Sequence, residues 1–298
     1  MSKFAHVAGR LFNAPLMLRP EKAEMLCAAL VDRLGIAKLD SIDGRTLGAS
    51  QMRQMAMDDD YGWSKPKTAR DMYEVRRGVA TIQINGSLVH KLGGVEPYCG
   101  MVGYDCIERI LVDAQANEDV GAILLDIDSP GGEVAGCFDF ARKLRGMGES
   151  GGGKPIVAFA NEMACSAAYA IACACDAVMT TETGIVGSIG VWTMQVDMTK
   201  GLSKNGIEAT MIRAGERKAR GGPYEVADDE TFAKLQGWVD ETWRIFAEHV
   251  AECRGETAED VLRMEGDWYT GTEALEMNLV DAVDSPDAIF EAVAEMAR

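Results

Sequence analysis

A largely apolar run, "GAILLDID" at residues 121–128, most constrains what this chain can fold into. A strand that faces water on one side alternates apolar and polar residues, whereas a parallel strand covered on both faces is apolar almost throughout. The run is followed by "SPGGEV" at 129–134 and then by apolar residues at helical spacing. Strand, glycine turn and helix in this order predict one unit of a largely parallel sheet.

The same alternation of strands and helices continues along the chain from about residue 73. Amphipathic helices are predicted at 104–117 and from about 228 to 253. Further strands are predicted at "VATIQINGSLV", "PIVAFA", "DAVMT", "IVGSIGVWTMQV" and "IEATMIRA". We therefore expect an α/β fold with a parallel sheet and flanking helices.

The sequence before this region has a different character. The segment "RPEKAEMLCAALVDRLG" carries apolar residues at helical spacing between Pro20 and Gly35, which indicates a helix. We expect residues 1–54 to form a helical N-terminal arm, 55–72 to form a polar linker, and 73–298 to form the main domain.

Charge and hydropathy exclude several classes of function. The formal net charge of -17 disfavours a general nucleic-acid-binding role, which needs clustered basic residues. No apolar stretch reaches the roughly 18–20 residues of a membrane span, and the N-terminus does not resemble a signal peptide. We therefore expect a protein of the cytoplasm that does not bind a membrane.

The eight cysteines show no C-x-x-C pair, and several lie in apolar helical runs. Buried free thiols are the expected state. A metal site built from Cys165, Cys173 and Cys175 has little support, because helical periodicity separates their side chains. We expect neither a metal nor another cofactor.

Ligands of parallel sheets bind beyond the carboxyl ends of the strands, where three segments of this chain are predicted to lie. In "DSPGG" at 128–132, Gly131 and Gly132 let backbone N–H groups approach a ligand. In "ACSAAYAIACACD" at 164–176, Ser166 stands at a bend between strand and helix. The N–H groups of Ser166 and Ala167, with one from either glycine, are expected to form an oxyanion hole. The adjacent Cys165 is a rival nucleophile that we expect to be buried.

A serine nucleophile needs a base, and with only three histidines a lysine is the better candidate. The third segment, "RAGERKARGGPYE" at 213–225, contains Lys218 in a basic, glycine-rich loop. Lys200 and Lys204 are equally plausible bases from spacing alone. Near Lys218, the positive Arg217 and Arg220 would favour a neutral lysine, while Glu216 opposes it.

Taken together, "DSPGG", "ACSAAYAIACACD", "GIVGSIGV" and "AGERKARGGPYE" resemble the successive motifs of the serine–lysine peptidases of the signal peptide peptidase A type. The resemblance is closer to the capsid-maturation (prohead) proteases of lambda-type tailed phages, and it extends to "VEPYCGMVGYDCIERIL" and the N-terminal arm. It implies that Ser166 is the nucleophile, Lys218 the base, Ser188 the hydroxyl that orients the lysine, and Gly131 or Gly132 an oxyanion donor. It also implies a crotonase/ClpP-like core.

The resemblance implies a serine endopeptidase of the host cytoplasm or phage prohead that cleaves scaffold, portal or its own tail and works as a homo-oligomer. The alanines after Ser166 differ from the glycines usual in signal peptide peptidases, and the membrane anchor of those enzymes is not seen. Two alternatives remain: a non-catalytic capsid- or scaffold-binding protein on the same fold, and a crotonase-like acyl-CoA enzyme.

Overall fold

The computed structural model describes residues 16–18, 38–40, 46–48, 68–92 and 100–298. The helix expected between Pro20 and Gly35, most of the arm and most of the linker lie outside these residues. Where the arm is described, it forms three short strands.

The described strands are β1 (Leu16–Leu18), β2 (Lys38–Asp40), β3 (Thr46–Gly48), β4 (Tyr73–Arg76), β5 (Val79–Asn85), β6 (Ser87–Val89), β7 (Met101–Gly103), β8 (Ala122–Ser129), β9 (Gly131–Glu133), β10 (Ile156–Cys165), β11 (Ala177–Thr180), β12 (Ile185–Gly187), β13 (Trp268–Thr270) and β14 (Ala282–Val283).

The predicted helices at 104–117 and 228–253 are confirmed to within one residue at each end. Several shorter helices accompany them, and two single turns of 3-10 helix span Ala69–Met72 and Glu149–Gly151. The described α-helices are α1 (Tyr104–Ala116), α2 (Cys137–Met147), α3 (Ala167–Ala172), α4 (Thr199–Lys204), α5 (Asp229–Arg254), α6 (Ala258–Leu262), α7 (Gly271–Glu276) and α8 (Pro286–Met296).

The main sheet has eight strands and is largely parallel, as predicted. Its order is β13-β12-β10-β8-β5-β4, and β11 and β14 extend from β10 on the same side as β12. Only the outer strands β4 and β13 run antiparallel to their neighbours. A second, four-stranded sheet has the order β1-β9-β6-β7.

The central strand β10 pairs with β8 along one edge and with two shorter strands, β11 and β12, along the other edge. Its first half pairs with β11 and its last three residues pair with β12. The register against β8 shifts between Ala160 and Met163, and Glu162 in that stretch has a φ of 83°. This irregularity separates the second half of β10 from β11, so the strand ends beside β12.

Both faces of the sheet are covered, which explains the apolar run from which the fold was predicted. Ile123, Leu125 and Ile127 of β8 belong to the core shared with α1, α2 and α3. On the other face, Leu124 packs in a cluster with Phe290 of α8. Each such side chain contributes about 1.5–3 kcal/mol when it is buried.

Two predicted strands are wrong in part or in full. Residues 207–214 form no strand, and Ile212 is 95% exposed, so this segment has no packed face to hold it in a sheet. The predicted strand at 185–196 is limited to Ile185–Gly187. It ends there because Ser188 adopts a left-handed backbone with a φ of 52°.

The chain divides into two compact units. The larger contains the described residues from 68 to 191 and from 242 to 298, including the whole main sheet. The smaller contains the β2–β3 pair and residues 192–241, which include α4 and the first half of α5. Among the described residues, no helix has the length and apolar character needed to cross a bilayer.

Candidate active site

Three neighbouring parallel strands end at the same edge of the main sheet. Ser129, at the end of β8, lies opposite Ala164 of β10, and Cys165, at the end of β10, lies opposite Gly187 of β12. The residue that follows β10 is Ser166. The structure therefore brings the predicted "DSPGG" and "GSIG" segments to either side of the predicted nucleophile.

Ser166 occupies a strained backbone conformation between strand β10 and helix α3. Its φ of 56° and ψ of -119° are rarely adopted by residues other than glycine, at a cost of about 1–3 kcal/mol. Its carbonyl accepts a 2.9 Å hydrogen bond from the N–H of Ala170, and only 1% of the residue is exposed. Within the described part of the chain, its hydroxyl forms no hydrogen bond, so the side chain is not committed to a structural role.

The expected oxyanion hole needs one correction. The N–H of Ser166 donates to the carbonyl of Gly187 at 2.8 Å, so it is already used within the fold. The N–H of Ala167 remains a suitable donor, because the first residue of a helix has no acceptor within that helix.

The two glycines of "DSPGG" differ in how their backbones are held. The N–H of Gly131 donates a long, 3.3 Å hydrogen bond to the hydroxyl of Ser129, which itself donates to the carbonyl of Gly86 at 2.7 Å. A side chain on Gly132 would lie 1.9 Å from the carbonyl oxygen of Leu88, so the close pairing of β9 with β6 requires a glycine there. Helix α3 contacts β9, which places both glycines in the neighbourhood of Ala167.

Ser188 follows directly after β12 and is half-buried. Its N–H donates to the carbonyl of Asp267 at 2.7 Å, and the indole Nε1 of Trp243 donates to the carbonyl of Ile189 at 2.8 Å. These bonds fix the backbone on which the Ser188 hydroxyl is carried. Trp243 lies on a helix for which the sequence predicted only amphipathic character, and its bond to Ile189 could not be predicted from that pattern.

Helix α3, which begins at the residue after Ser166, is anchored by buried polar contacts. The hydroxyl of Tyr169 donates to the carbonyl of Leu279 at 2.8 Å, and burial raises the pKa of this tyrosine well above its usual value. The thiol of Cys137 lies 3.7 Å from the carbonyl oxygen of Ala167. The first half of the helix is therefore tied to the core.

Cys165, the rival nucleophile, is fully buried, as expected. Its Sγ lies 3.8 Å from the carbonyl oxygen of Ile185 on the neighbouring strand. A thiol held against a strand backbone is poorly placed to attack a substrate, which favours Ser166 over Cys165.

Lys218 belongs to the smaller unit and is exposed. Its N–H donates to the carbonyl of Gly215 at 2.9 Å, and its carbonyl accepts a 3.3 Å bond from a guanidinium nitrogen of Arg213. Arg213 also forms a two-pronged ion pair with Glu225. Lys200 and Lys204 are exposed too, so exposure does not distinguish the three candidate bases.

The arginines beside Lys218 are less available than the sequence suggests. Arg217 pairs with Glu230 at 3.0 Å, and Arg220 pairs with Glu230 at 2.7 Å and with Asp228 at 3.5 Å. These carboxylates compensate the positive charges that we expected to favour a neutral Lys218. The pairs instead connect the loop that carries Lys218 to the start of α5.

Comparison with known proteins gives a family and two phage relatives. The model of peptidase family S49 matches residues 149–298. Capsid assembly protease C of Escherichia phage lambda is 38% identical over 288 residues, which cover 95% of this chain and 64% of the relative. Head-tail preconnector protein GP5 of Enterobacteria phage P21 is 36% identical over 286 residues, covering 96% of this chain and 56% of the relative. The chain thus spans less than two thirds of the length of these relatives.

A solved structure was also found, the 1510-N membrane protease specific for a stomatin homolog from Pyrococcus horikoshii. It has a TM-score of 0.42 and 12% sequence identity, over 72% of this chain and 77% of that chain.

Proposed function

The chain belongs to peptidase family S49, and from that premise we propose that it is a serine endopeptidase in which Ser166 is the nucleophile and Lys218 the general base. The observation that carries the proposal is the strained, buried placement of Ser166 at the end of the central strand, with its hydroxyl uncommitted. A serine held in a costly backbone conformation at a sheet edge is typical of a site where strain serves catalysis.

In the proposed reaction, the Nζ of a neutral Lys218 removes the proton of the Ser166 hydroxyl as Oγ attacks the scissile carbonyl carbon. The resulting oxyanion is stabilised by the N–H of Ala167 and by a backbone N–H of Gly131 or Gly132. Each such donor is worth about 3–4 kcal/mol in the transition state. The lysine then gives its proton to the leaving amine, and a water attacks the acyl-enzyme with Lys218 again as the base.

Ser188 supports the proposed lysine. Its backbone is fixed next to β12 by Asp267, and a hydroxyl in that position can accept a hydrogen bond from the lysine and hold Nζ towards Oγ. In this role Ser188 is a positioning residue, because it acts through Lys218.

We further propose that the active form is a homo-oligomer in which a neighbouring subunit completes each site. A lysine base must be desolvated to be neutral near pH 7, whereas Lys218 is exposed in the single chain. Phe232 and Trp238, on the first half of α5, are also 51% and 45% exposed, so a neighbouring subunit can cover aromatic surface there.

For the substrate, we propose capsid assembly proteins in the host cytoplasm or the prohead: scaffold, portal or a tail of the same polypeptide. The support is that two relatives bear the printed names of a capsid assembly protease and a head-tail preconnector protein. The division of the chain made from the sequence, with a peptidase domain at residues 73–298, stays a prediction; the strands of the main sheet lie within that range.

The proposed substrate is tested by co-expressing the chain with capsid, scaffold and portal proteins and mapping the products by mass spectrometry. We expect new termini in one of these proteins with the native chain and none with Ser166→Ala. A stable complex with capsid protein and no new termini would instead support the non-catalytic alternative. Saturable binding of coenzyme A would support the acyl-CoA alternative.

A further inference from the structure

Three side chains that bind metals well converge behind the helix that follows Ser166. They are Cys173, just after α3, and His249 and Cys253 on α5, and their ligand atoms all lie within 4.8 Å of one another. His249 and Cys253 are four residues apart, so the helix presents them on one face. All three lie in the larger unit, and none takes part in the proposed peptidase reaction.

The carbonyl oxygen of Ala170 supplies a fourth donor atom to this group. It lies 2.8 Å from Nε2 of His249 and 3.5 Å from Sγ of Cys173, while Nε2 of His249 is 3.9 Å from Sγ of Cys253. In a tetrahedral zinc site with bonds of about 2.0–2.3 Å, neighbouring donor atoms are roughly 3.3–3.8 Å apart. The separations of 3.5 and 3.9 Å are close to these values, whereas the 2.8 Å between His249 Nε2 and the Ala170 oxygen must widen by about half an ångström as an ion enters.

We propose that Cys173, His249 and Cys253, with the carbonyl oxygen of Ala170, bind a thiophilic divalent cation such as Zn²⁺. Thiolate and imidazole ligands in a tetrahedral arrangement favour zinc over magnesium or calcium, which prefer oxygen. On binding, the thiols of Cys173 and Cys253 release their protons to solvent, and neutral His249 loses the proton from Nε2 and carries its single proton on Nδ1, so that Nε2 coordinates the metal. The hydrogen bond from His249 to Ala170 is replaced by the two bonds to the ion.

The surroundings of the cluster are compatible with this site. The guanidinium of Arg145 lies 3.7 Å from Sγ of Cys253, but it is also paired with Glu252 at 2.9 Å, which compensates its charge.

An entry route for the ion is present on the surface. A pocket lined by Arg145, Glu252 and His249 opens beside the cluster, so the His249 ring forms part of its wall. Cys173 and His249 are 3% and 8% exposed, whereas Cys253 is only partly buried. A cation can therefore reach His249 from the pocket, and Cys253 is the more accessible of the two thiols.

This ligand set differs from the one weighed from the sequence. Of Cys165, Cys173 and Cys175, only Cys173 joins the cluster. The thiol of Cys165 lies against Ile185, and that of Cys175 lies 3.6 Å from the carbonyl oxygen of Ile171. The other two ligands come from a helix more than seventy residues later, at a spacing of His-x-x-x-Cys.

The site bears on the peptidase because it connects two elements. Ala170 and Cys173 lie on and just after α3, which begins next to Ser166, and His249 and Cys253 lie on α5. A bound ion would hold the C-terminal end of the nucleophile helix to α5. Ion binding does not require the dyad, so it can be measured separately from proteolysis.

The test is a Co²⁺ titration of the reduced, chelator-treated full chain, with Co²⁺ serving as a spectroscopic probe for Zn²⁺. We expect one equivalent to give sulfur-to-cobalt charge-transfer absorption and the intense visible bands of tetrahedral cobalt, both removed by Zn²⁺. The same spectrum should appear with Ser166→Ala. A titration that yields only the weak spectrum of hydrated cobalt would overturn the proposal, whatever the peptidase assays show.

Variants assign the ligands. Cys253→Ser and His249→Ala should each weaken Co²⁺ binding by more than the roughly 10–100-fold lost when only an outer-shell partner of a ligand is removed. Cys106→Ser, which changes a buried thiol on α1, is the matched control and should keep the native spectrum. Native-like Co²⁺ binding by folded Cys253→Ser, or its loss in Cys175→Ser, would show that the assigned ligand set is wrong.

Discussion

Ser166 donates its backbone N–H to the carbonyl of Gly187 across 2.8 Å, which ties the turn between β10 and α3 to the end of β12. The residue after Gly187 is Ser188, so the same contact fixes the spacing between the proposed nucleophile and the proposed positioning hydroxyl. The contact also removes one N–H from the proposed oxyanion hole. The proposed hole must therefore rely on Ala167 and the glycines that follow β8.

The strained backbone of Ser166 predicts a difference in stability between two inactive variants at this position. Glycine tolerates a φ of 56° and a ψ of -119°, whereas alanine does not. Ser166→Gly should therefore be more stable than Ser166→Ala by about 1 kcal/mol, the relief of strain exceeding the entropy cost of glycine. Both variants should be inactive. Equal midpoints of chemical denaturation for the two would show that the backbone of Ser166 is not strained.

Loss of the Ser188 hydroxyl should slow the chemical step without weakening substrate binding. We expect Ser188→Ala to lower kcat by roughly 10–100-fold while KM stays near its native value, because the hydroxyl orients the base and does not contact the substrate. Ser188→Thr, which retains a hydroxyl, should recover part of the rate. A change in KM alone would assign Ser188 to substrate binding.

The loop that carries the proposed base, Lys218, is held in place by hydrogen bonds from Arg213. Arg213 contacts both the carbonyl of Lys218 and the carboxylate of Glu225, so Arg213→Ala should lower cleavage while leaving the melting temperature almost unchanged. The exchanged pair Arg213→Glu with Glu225→Arg should recover part of the loss. Arg142→Ala removes a surface ion pair with Asp139 on α2 and serves as the control. Equal cleavage rates for Arg213→Ala and Arg142→Ala would show that the contacts of Arg213 do not support the proposed base.

The same loop should loosen in acid. The hydrogen bond from Arg213 lowers the pKa of Glu225, and hydrogen bonds from Thr231 lower the pKa of Asp228. A carboxyl whose folded pKa is lowered stabilises the fold above its unfolded value, about 4, and loses that contribution as the pH falls through the folded value. Amide hydrogen exchange, corrected for its intrinsic pH dependence, should show less protection for residues 213–231 at about pH 3 than at pH 6. Unchanged protection would mean that these bonds do not hold the loop.

Much of the fold could be predicted because it depends on local patterns. The apolar run of β8 identified a strand covered on both faces, and helical spacing identified α5 to within one residue. The predicted strand at 207–214 failed because an alternating pattern gives a strand only where a neighbour pairs with it. Ile212 in this segment is 95% exposed.

The site was less predictable, because its details are contacts between distant residues. Ser166 could be proposed from its position between strand and helix, but the bond from its N–H to Gly187 depends on how β10 and β12 align. The sequence pattern did not indicate that His249 and Cys253 belong to one site with Cys173. Their meeting with Cys173 follows from the packing of α5 against α3, which no local pattern encodes.

The proposed sharing of sites between subunits predicts complementation. Inactive Ser166→Ala and inactive Lys218→Ala proteins should recover part of the cleavage activity when they are mixed and exchange subunits, because some interfaces regain both residues. Exchange is verified by native mass spectrometry with one partner isotopically labelled. Full exchange without any recovery would place both residues of the dyad within one chain.

The central claim is that Ser166 and Lys218 perform the hydrolysis, and its most direct test is the cleavage rate of one identified capsid substrate by four folded variants. Cys165→Ala should keep most of the native rate, whereas Ser166→Ala and Lys218→Met should each lose at least about 10³-fold. Lys204→Met, an exposed lysine changed in the same way, should remain active. The account is contradicted if Ser166→Ala still cleaves while Cys165→Ala does not, or if Lys218→Met is as active as Lys204→Met.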